Sequence, residues 1–398
     1  MAVNINLALM SLVFLVAFNA IDHAQAAVFD VTTHGAKPGG DITAALTSAW
    51  KDACAASGKN QVVVPKGTFK LGEVSLEGPC KGPIEFQNHG TVQAPADPGK
   101  FKDFWIQIIH VDGFTLSGGG TFDGQGQLAW KSNNCANDAN CGVFAANLKF
   151  SFLTNAVVKD ITSLNSKYFH IILLGCKHMQ LEQLTITAPA DSANTDGIHI
   201  GRSSLITISD IKIGTGDDCI SIGDGSQGVT ITKVTCGPGH GISIGSLGKY
   251  KDEEPVTGIT VTDCTITDAT NGVRIKTWPA SPSPGTATGL HFENIDMTNV
   301  ENCLLIDQGY CPHGICKAQI PSTIKISDVS FKNIRGTSTS VEAVKISCSK
   351  SVPCEKVHLE NIDIKFTGSG EYKAICENVK PTFAGTQNPP ACTGSSAE

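Results

Sequence analysis

Beyond residue 57 the chain breaks into short runs with apolar residues at every second position, separated by turns rich in Gly, Asn, Asp and Ser. Alternation of this kind predicts β-strands with one buried face. The runs recur. GIHI begins at 197, CISI at 219, GISI at 241, GVRI at 272 and CLLI at 303, with offsets of 22, 22, 31 and 31. Between them lie secondary runs such as LITISDIKI (205–213), VTITKVTC (229–236) and TIKISDVSF (323–331). Each unit is strand, turn, strand, turn, and none can bury its own apolar face. Stacked units would share one continuous core. The pattern predicts an all-β chain folded as a parallel β-helix, extending to about residue 378. A doubly wound sheet would need crossover helices that are missing, and a sandwich would need hairpin turns that are scarce.

One segment departs from this pattern. In residues 41–57, DITAALTSAWKDACAAS, apolar positions recur at helical spacing behind a candidate N-cap, Asp41. This helix is expected to cap the open end of the solenoid, where bare strand edges would invite aggregation. Asn294, Asn333 and Asn361 recur in ENI or KNI contexts and predict an asparagine ladder at one β-helix turn. At the N-terminus, LALMSLVFLVAF (7–18) followed by Ala24-Gln25-Ala26 predicts a signal peptide over 1–26. Residues 27–398 would then form a single catalytic domain. No later run is long enough to span a membrane.

Composition narrows the choice of partners. Charged residues make up 17% and the formal net charge is −7, which argues against general nucleic-acid binding. Fifteen cysteines point to an oxidising compartment. Close spacing suggests Cys135/Cys141, Cys311/Cys316 and Cys348/Cys354. Wider candidates are Cys54/Cys80, Cys219/Cys236 and Cys376/Cys392. Cys176, Cys264 and Cys303 remain, an odd total that leaves at least one thiol unpaired within the chain, and the alternating apolar contexts of Cys264 and Cys303 suggest buried thiols. Zinc-ligand spacing is absent, and no metal or other cofactor is expected.

The repeat becomes a candidate site when the strand starts are aligned. The residues just before Gly197, Cys219, Gly241 and Gly272 are Asp196, Asp218, His240 and Asn271. Stacking in register places these in one column on rungs roughly 4.7–4.9 Å apart. Asp217 sits one position earlier on the middle rung. On the rung after His240, Arg274 and Lys276 alternate outward with inward Val273 and Ile275. An Asp-Asp pair alone is usually a solvated turn, and a lone histidine is usually structural. The shared register is what raises the joint reading. Three crowded carboxylates cannot all ionise normally, so one should keep its proton beside an unprotonated neighbour. That supplies the acid and base of glycoside hydrolysis. The two cations favour an anionic ligand, most simply a sugar carboxylate.

At these residues a resemblance becomes specific. Asn194-Thr195-Asp196-Gly197, Gly216-Asp217-Asp218, Gly239-His240-Gly241 and Arg274-Ile275-Lys276 match in order the four signature motifs of the polygalacturonases, pectin-cleaving glycoside hydrolases. From about Val28 the chain resembles the plant pollen exopolygalacturonases, several of which are allergens. The resemblance implies a right-handed β-helix, secretion to the plant cell wall, and inverting, metal-free hydrolysis of α-1,4-linked galacturonan from the non-reducing end. It implies Asp217 as general acid, with Asp196 and Asp218 holding and activating water and His240 tuning the acid. Asn194, Arg274, Lys276 and Tyr310 would bind sugar, although loop packing is an equal reading for Tyr310. A Cys219–Cys236 disulfide is also implied. The expected partner is pectin, acted on by a monomer with no nucleic acid and no membrane in the mature form. Alternatives are an endo-acting enzyme, a rhamnogalacturonan hydrolase, a calcium-dependent lyase, or a non-catalytic pectin-binding β-helix. The motifs alone do not encode exo against endo action.

Overall fold

The computed structural model describes residues 26–135, 142–312, 314 and 316–392. The expected signal peptide therefore lies outside the described residues except for Ala26. The described strands pair in parallel into one 19-stranded and one 11-stranded sheet. Each rung of the coil contributes strands to both sheets, and successive rungs stack in parallel, as the repeat predicted. Connections between parallel strands of this kind wind right-handed.

Inward positions stack by residue type. Ile198, Ile220, Ile242, Val273, Leu304 and Val344 are consecutive register partners in the 11-stranded sheet. All six are buried. Each such side chain contributes roughly 1.5–3 kcal/mol of burial. The larger sheet is creased along a column of left-handed residues. Asp160, Gln183, Asp210, Lys233, Asp263, Asn294, Asn333 and Asn361 have φ between 51 and 55°. Asn and Asp tolerate this region best among residues with a Cβ. Along the column Asn294 donates to Asp263, Asn333 to Asn294 and Asn361 to Asn333, at 3.2, 3.0 and 3.0 Å. The expected asparagine ladder is present.

The capping helix α1 spans Thr43–Ala55 and buries Ala45, Leu46, Ala49, Trp50 and Ala53. It packs on the strands Ala27–Asp30, Asn60–Val64 and Val74–Glu77, at the N-terminal end of the coil. Its start differs from expectation. Asp41 is held in a parallel bridge with Lys70, so Ile42 takes the cap position. The Asp41 carboxylate still accepts the Thr43 N–H at 2.8 Å from one residue further out. The repeat had predicted no second helix, yet α2 spans Gln127–Ser132. The strands also continue past residue 378, with a last one at Thr382–Asn388.

Five expected disulfides are formed: Cys54–Cys80, Cys219–Cys236, Cys311–Cys316, Cys348–Cys354 and Cys376–Cys392. The Cys135/Cys141 pairing reaches Cys141, outside the described residues. Cys176, Cys264 and Cys303 are free and buried. Burial pushes their thiols up to about 11, 11 and 12, so they stay protonated and unreactive. Among the described residues no helix is long and apolar enough to cross a membrane.

Candidate active site

The register that stacks the core also assembles the site. Ile198 pairs with Ile220, Ile220 with Ile242, and Ile242 with Val273. Two residues earlier on each rung stand Asp196, Asp218, His240 and Asn271, the column that the repeat predicted. Two turns fix its entrance. The Cys219–Cys236 disulfide ties the Gly216-Asp217-Asp218 turn to the end of the strand leading into the Gly239-His240-Gly241 turn. The His240 amide donates to the Asp217 carbonyl at 2.8 Å. Gly241 has φ 81°, and a Cβ there would lie 2.1 Å from the Asn271 carbonyl oxygen. That position therefore demands glycine.

Asp218 is the most enclosed of the three carboxylates, with 1% of its side chain exposed. Its Oδ1 accepts from Arg274 Nη2 at 2.8 Å and from Ser243 Oγ at 2.8 Å. Its Oδ2 accepts from Lys276 Nζ at 2.7 Å. Ser243 Oγ in turn accepts from Arg274 Nε at 3.0 Å. Burial alone would raise the Asp218 carboxyl, but Lys276 and Arg274 hold it down at about 2. Burial would likewise strip the proton from Lys276, and the Asp218 charge keeps it on. Two cations face one carboxylate, so this buried cluster carries one uncompensated positive charge. A second carboxylate, brought by a ligand, would balance it.

Asp217 faces a different set of partners. His240 Nδ1 lies 3.0 Å from its Oδ1, which also accepts the Asp218 amide at 2.8 Å. Asn194 Nδ2 reaches its Oδ2 at 3.3 Å. The hydrogen bond to Asp217 raises His240 above an ordinary imidazole, against the opposing effect of burial. Asp196 is buried, and both burial and the charges of Asp217 and Asp218 push its carboxyl well above the usual range. Burial first, and then the crowding of charges, thus raises one of the three carboxyls, and that group is Asp196.

Tyr310 settles over the cations. Its ring centroid is 5.2 Å from Lys276 Nζ and 5.9 Å from the Arg274 guanidinium carbon. It also meets Trp278 edge-on at 5.6 Å. The ring thus lies beside the site's cations and also packs in its loop. Asn194 was expected to face sugar, but its amide is engaged by Asp217 and its Oδ1 accepts from Asn133 Nδ2 at 3.0 Å. Sequence reasoning missed three contributors. Ser243 follows Ser221 in the outward column of the repeat, so a small polar residue recurring there was a usable signal. Asn133 sits just past α2, in a segment without repeat periodicity. Tyr168, beside Asp196 and Asp217, carries no motif of its own.

One atom each from Asp217, Asp218 and His240 lie within 4.8 Å of one another, a grouping that could in principle hold a metal ion. The donor set fits a metal poorly. Both Asp218 oxygens are occupied by cationic side chains, and a divalent ion would have to displace Lys276 or Arg274.

Comparison with known proteins agrees with this geometry. The family model "Glycosyl hydrolases family 28" matches residues 54–392. An exopolygalacturonase of Platanus acerifolia is 54% identical over 92% of this chain and 98% of its own length. One from Oenothera organensis is 53% identical over 90% of this chain and 99% of its own. Among solved structures, an endo-xylogalacturonan hydrolase from Aspergillus tubingensis superposes with a TM-score of 0.76 at 25% identity. That match covers 93% of this chain and 99% of the other.

Proposed function

The chain belongs to the glycosyl hydrolases family 28, and from that membership we propose that it is a polygalacturonase releasing galacturonate units from the non-reducing ends of α-1,4-linked galacturonan in pectin. The observation that carries this reading is the Asp196–Asp218–His240 column with Arg274 and Lys276 on the following rung. It joins proton-donating and proton-accepting carboxyls to a net positive pocket for the sugar carboxylate. The two relatives named above are both exopolygalacturonases. The α2 segment flanks the Asn194 side of the site. Trp130 of α2 donates to the Ser166 carbonyl at 2.9 Å, and Asn133 bonds Asn194.

In the proposed mechanism Asp217 protonates the leaving glycosidic oxygen as the bond to the anomeric carbon breaks. A water held by Asp196 and Asp218 attacks that carbon from the opposite face, giving up its proton to a carboxylate. The Asp196 carboxyl is raised, so the cycle requires that Asp196 be free to accept a proton from the attacking water when Asp217 delivers its own. His240, hydrogen-bonded to Asp217, is the second proton source. Arg274, Lys276 and Tyr310 hold the substrate's carboxylate and ring. Residues 27–398 act as one catalytic domain, and the disulfides support secretion to the cell wall after removal of residues 1–26. Pollen expression and allergenicity rest on the resemblance alone.

A product profile on polygalacturonic acid tests the proposal. Monomer should appear from the first time point, and its initial anomer, read by NMR, should be inverted. A spread of oligomers would reassign the mode to endo, and unsaturated products would overturn hydrolysis. The His240 role has its own test. Because its pKa is raised, His240 stays charged past pH 6.5 and loses its proton above that. The kcat/KM of the unmodified chain should fall through that range. In His240→Gln that alkaline limb should vanish and kcat should drop. An unchanged limb in the variant would assign the ionisation to another group.

A further inference from the structure

The C-terminal rungs hold a second cationic feature that catalysis does not use. A cavity of about 410 Å³ is lined by Lys350, Lys356 and Lys380 over Pro353 and Val379. All three lysines are exposed. Among the described residues none of them has an acidic partner at ion-pair distance. The cavity's one acid, Glu355, is engaged by Lys325 at 3.1 Å. In a chain of net charge −7, three unpaired lysines around one hollow concentrate positive potential locally.

A second hollow leads from this cavity toward the rung beside Arg274. Arg274 pairs in register with Leu305, Leu305 with Lys345, and Lys345 with Ile375, which continues the outward face of the sheet. This hollow, of about 680 Å³, covers Leu305, Lys345 and Ile375, starting one rung past Arg274, and reaches Lys350, which lines both spaces. The hollow itself offers a polyanion little. Its Lys345 is bound to Glu342 at 3.3 Å, and Asp307 and Glu377 face the same space. Beyond the hollow, the lysines that gather around a single cavity are Lys350, Lys356 and Lys380, with Lys356 on the strand Glu355–Phe366 of the larger sheet. They lie two to three rungs further along the coil axis than Arg274, an axial offset of roughly 10–15 Å.

We propose that the Lys350–Lys356–Lys380 cavity docks uronate carboxylates of the same polymer chain whose end occupies the catalytic site. The inference rests on the polygalacturonase reading and extends it to a chain-length preference. A long substrate spans both cationic regions across the neutral stretch, and a short one reaches only the first. Anchoring at a distance adds affinity without touching the reacting bond, so it belongs in KM rather than kcat.

The test compares Lys350→Gln/Lys356→Gln/Lys380→Gln with the unmodified chain on polygalacturonate and on trigalacturonate. A control triple, Lys51→Gln/Lys66→Gln/Lys81→Gln, carries the same charge change near the opposite end. The expected result is a KM on polymer raised about three- to tenfold, the scale of a few exposed ion pairs. The kcat and all trigalacturonate constants should be unchanged, and the control triple should behave as the unmodified chain. An unmoved polymer KM, an equal rise on trimer, or an equal rise in the control would overturn the docking site. Failure of the hydrolase reading looks different, because the unmodified chain would then release no galacturonate from either substrate. Affinity electrophoresis through gels with and without polygalacturonate reads docking without turnover. Retardation by the polymer should be weakened in the C-terminal triple, and equal retardation would refute the proposal.

Discussion

Asp217→Asn should lose about 10²–10⁴ of kcat on polygalacturonate while folding normally. The substitution keeps the side-chain shape and removes only the transferable proton and the charge. Asp217 is held by its own turn, through the disulfide and the backbone bond to His240, and these do not depend on the carboxylate. A merely structural Asp217 would make the variant less stable before it made it less active. A second readout separates the roles further. His240 owes its raised pKa first to the Asp217 hydrogen bond. In the variant the His240 resonances should titrate at lower pH. Full activity in Asp217→Asn would end the assignment of the acid. An unmoved His240 titration would remove the proposed coupling between the two.

The sequence could reveal this much because a solenoid converts spacing into geometry. Once GIHI, CISI, GISI and GVRI are aligned, the rung order fixes which residues share a column, and Asp196, Asp218 and His240 fall together. Arg274 and Lys276 follow from alternation on the next rung. What alignment cannot carry is the direction of side chains within the column. Asp218 turns to the cations and Asp217 to His240, and only that choice decides which carboxyl keeps the proton. Elements without repeat periodicity were also hidden. The α2 segment has no register to extrapolate from, so the bond from Asn133 to Asn194 was beyond reach. The start of α1 slipped for a related reason, since the bridge from Asp41 to Lys70 is a tertiary contact that outweighs local capping preference.

Asp196 and Asp218 are neighbours in one column, yet removing their charges should move stability in opposite directions. The Asp218 carboxyl sits at about 2 in the folded chain, below about 3.9 when unfolded. Its contribution is therefore present above the unfolded value and is lost as pH falls toward 2. Asp218→Asn leaves Arg274 and Lys276 buried without their partner, which should cost about 3–5 kcal/mol at pH 7. The Asp196 carboxyl is raised. The folded chain keeps a proton that the unfolded chain has already released, so stability declines as pH rises from about 3.9 to the raised value. Asp196→Asn mimics the protonated form. It should melt higher than the unmodified chain at pH 7 and level with it near pH 3. Thermal melts of both variants at the two pH values make the comparison. An Asp196→Asn chain destabilised at pH 7 as strongly as Asp218→Asn would mean that Asp196 is a charged partner of the cations. Both variants should lose hydrolysis, so activity alone cannot tell the two carboxylates apart. The opposed melting shifts can, because they report which of them carries the proton before substrate arrives.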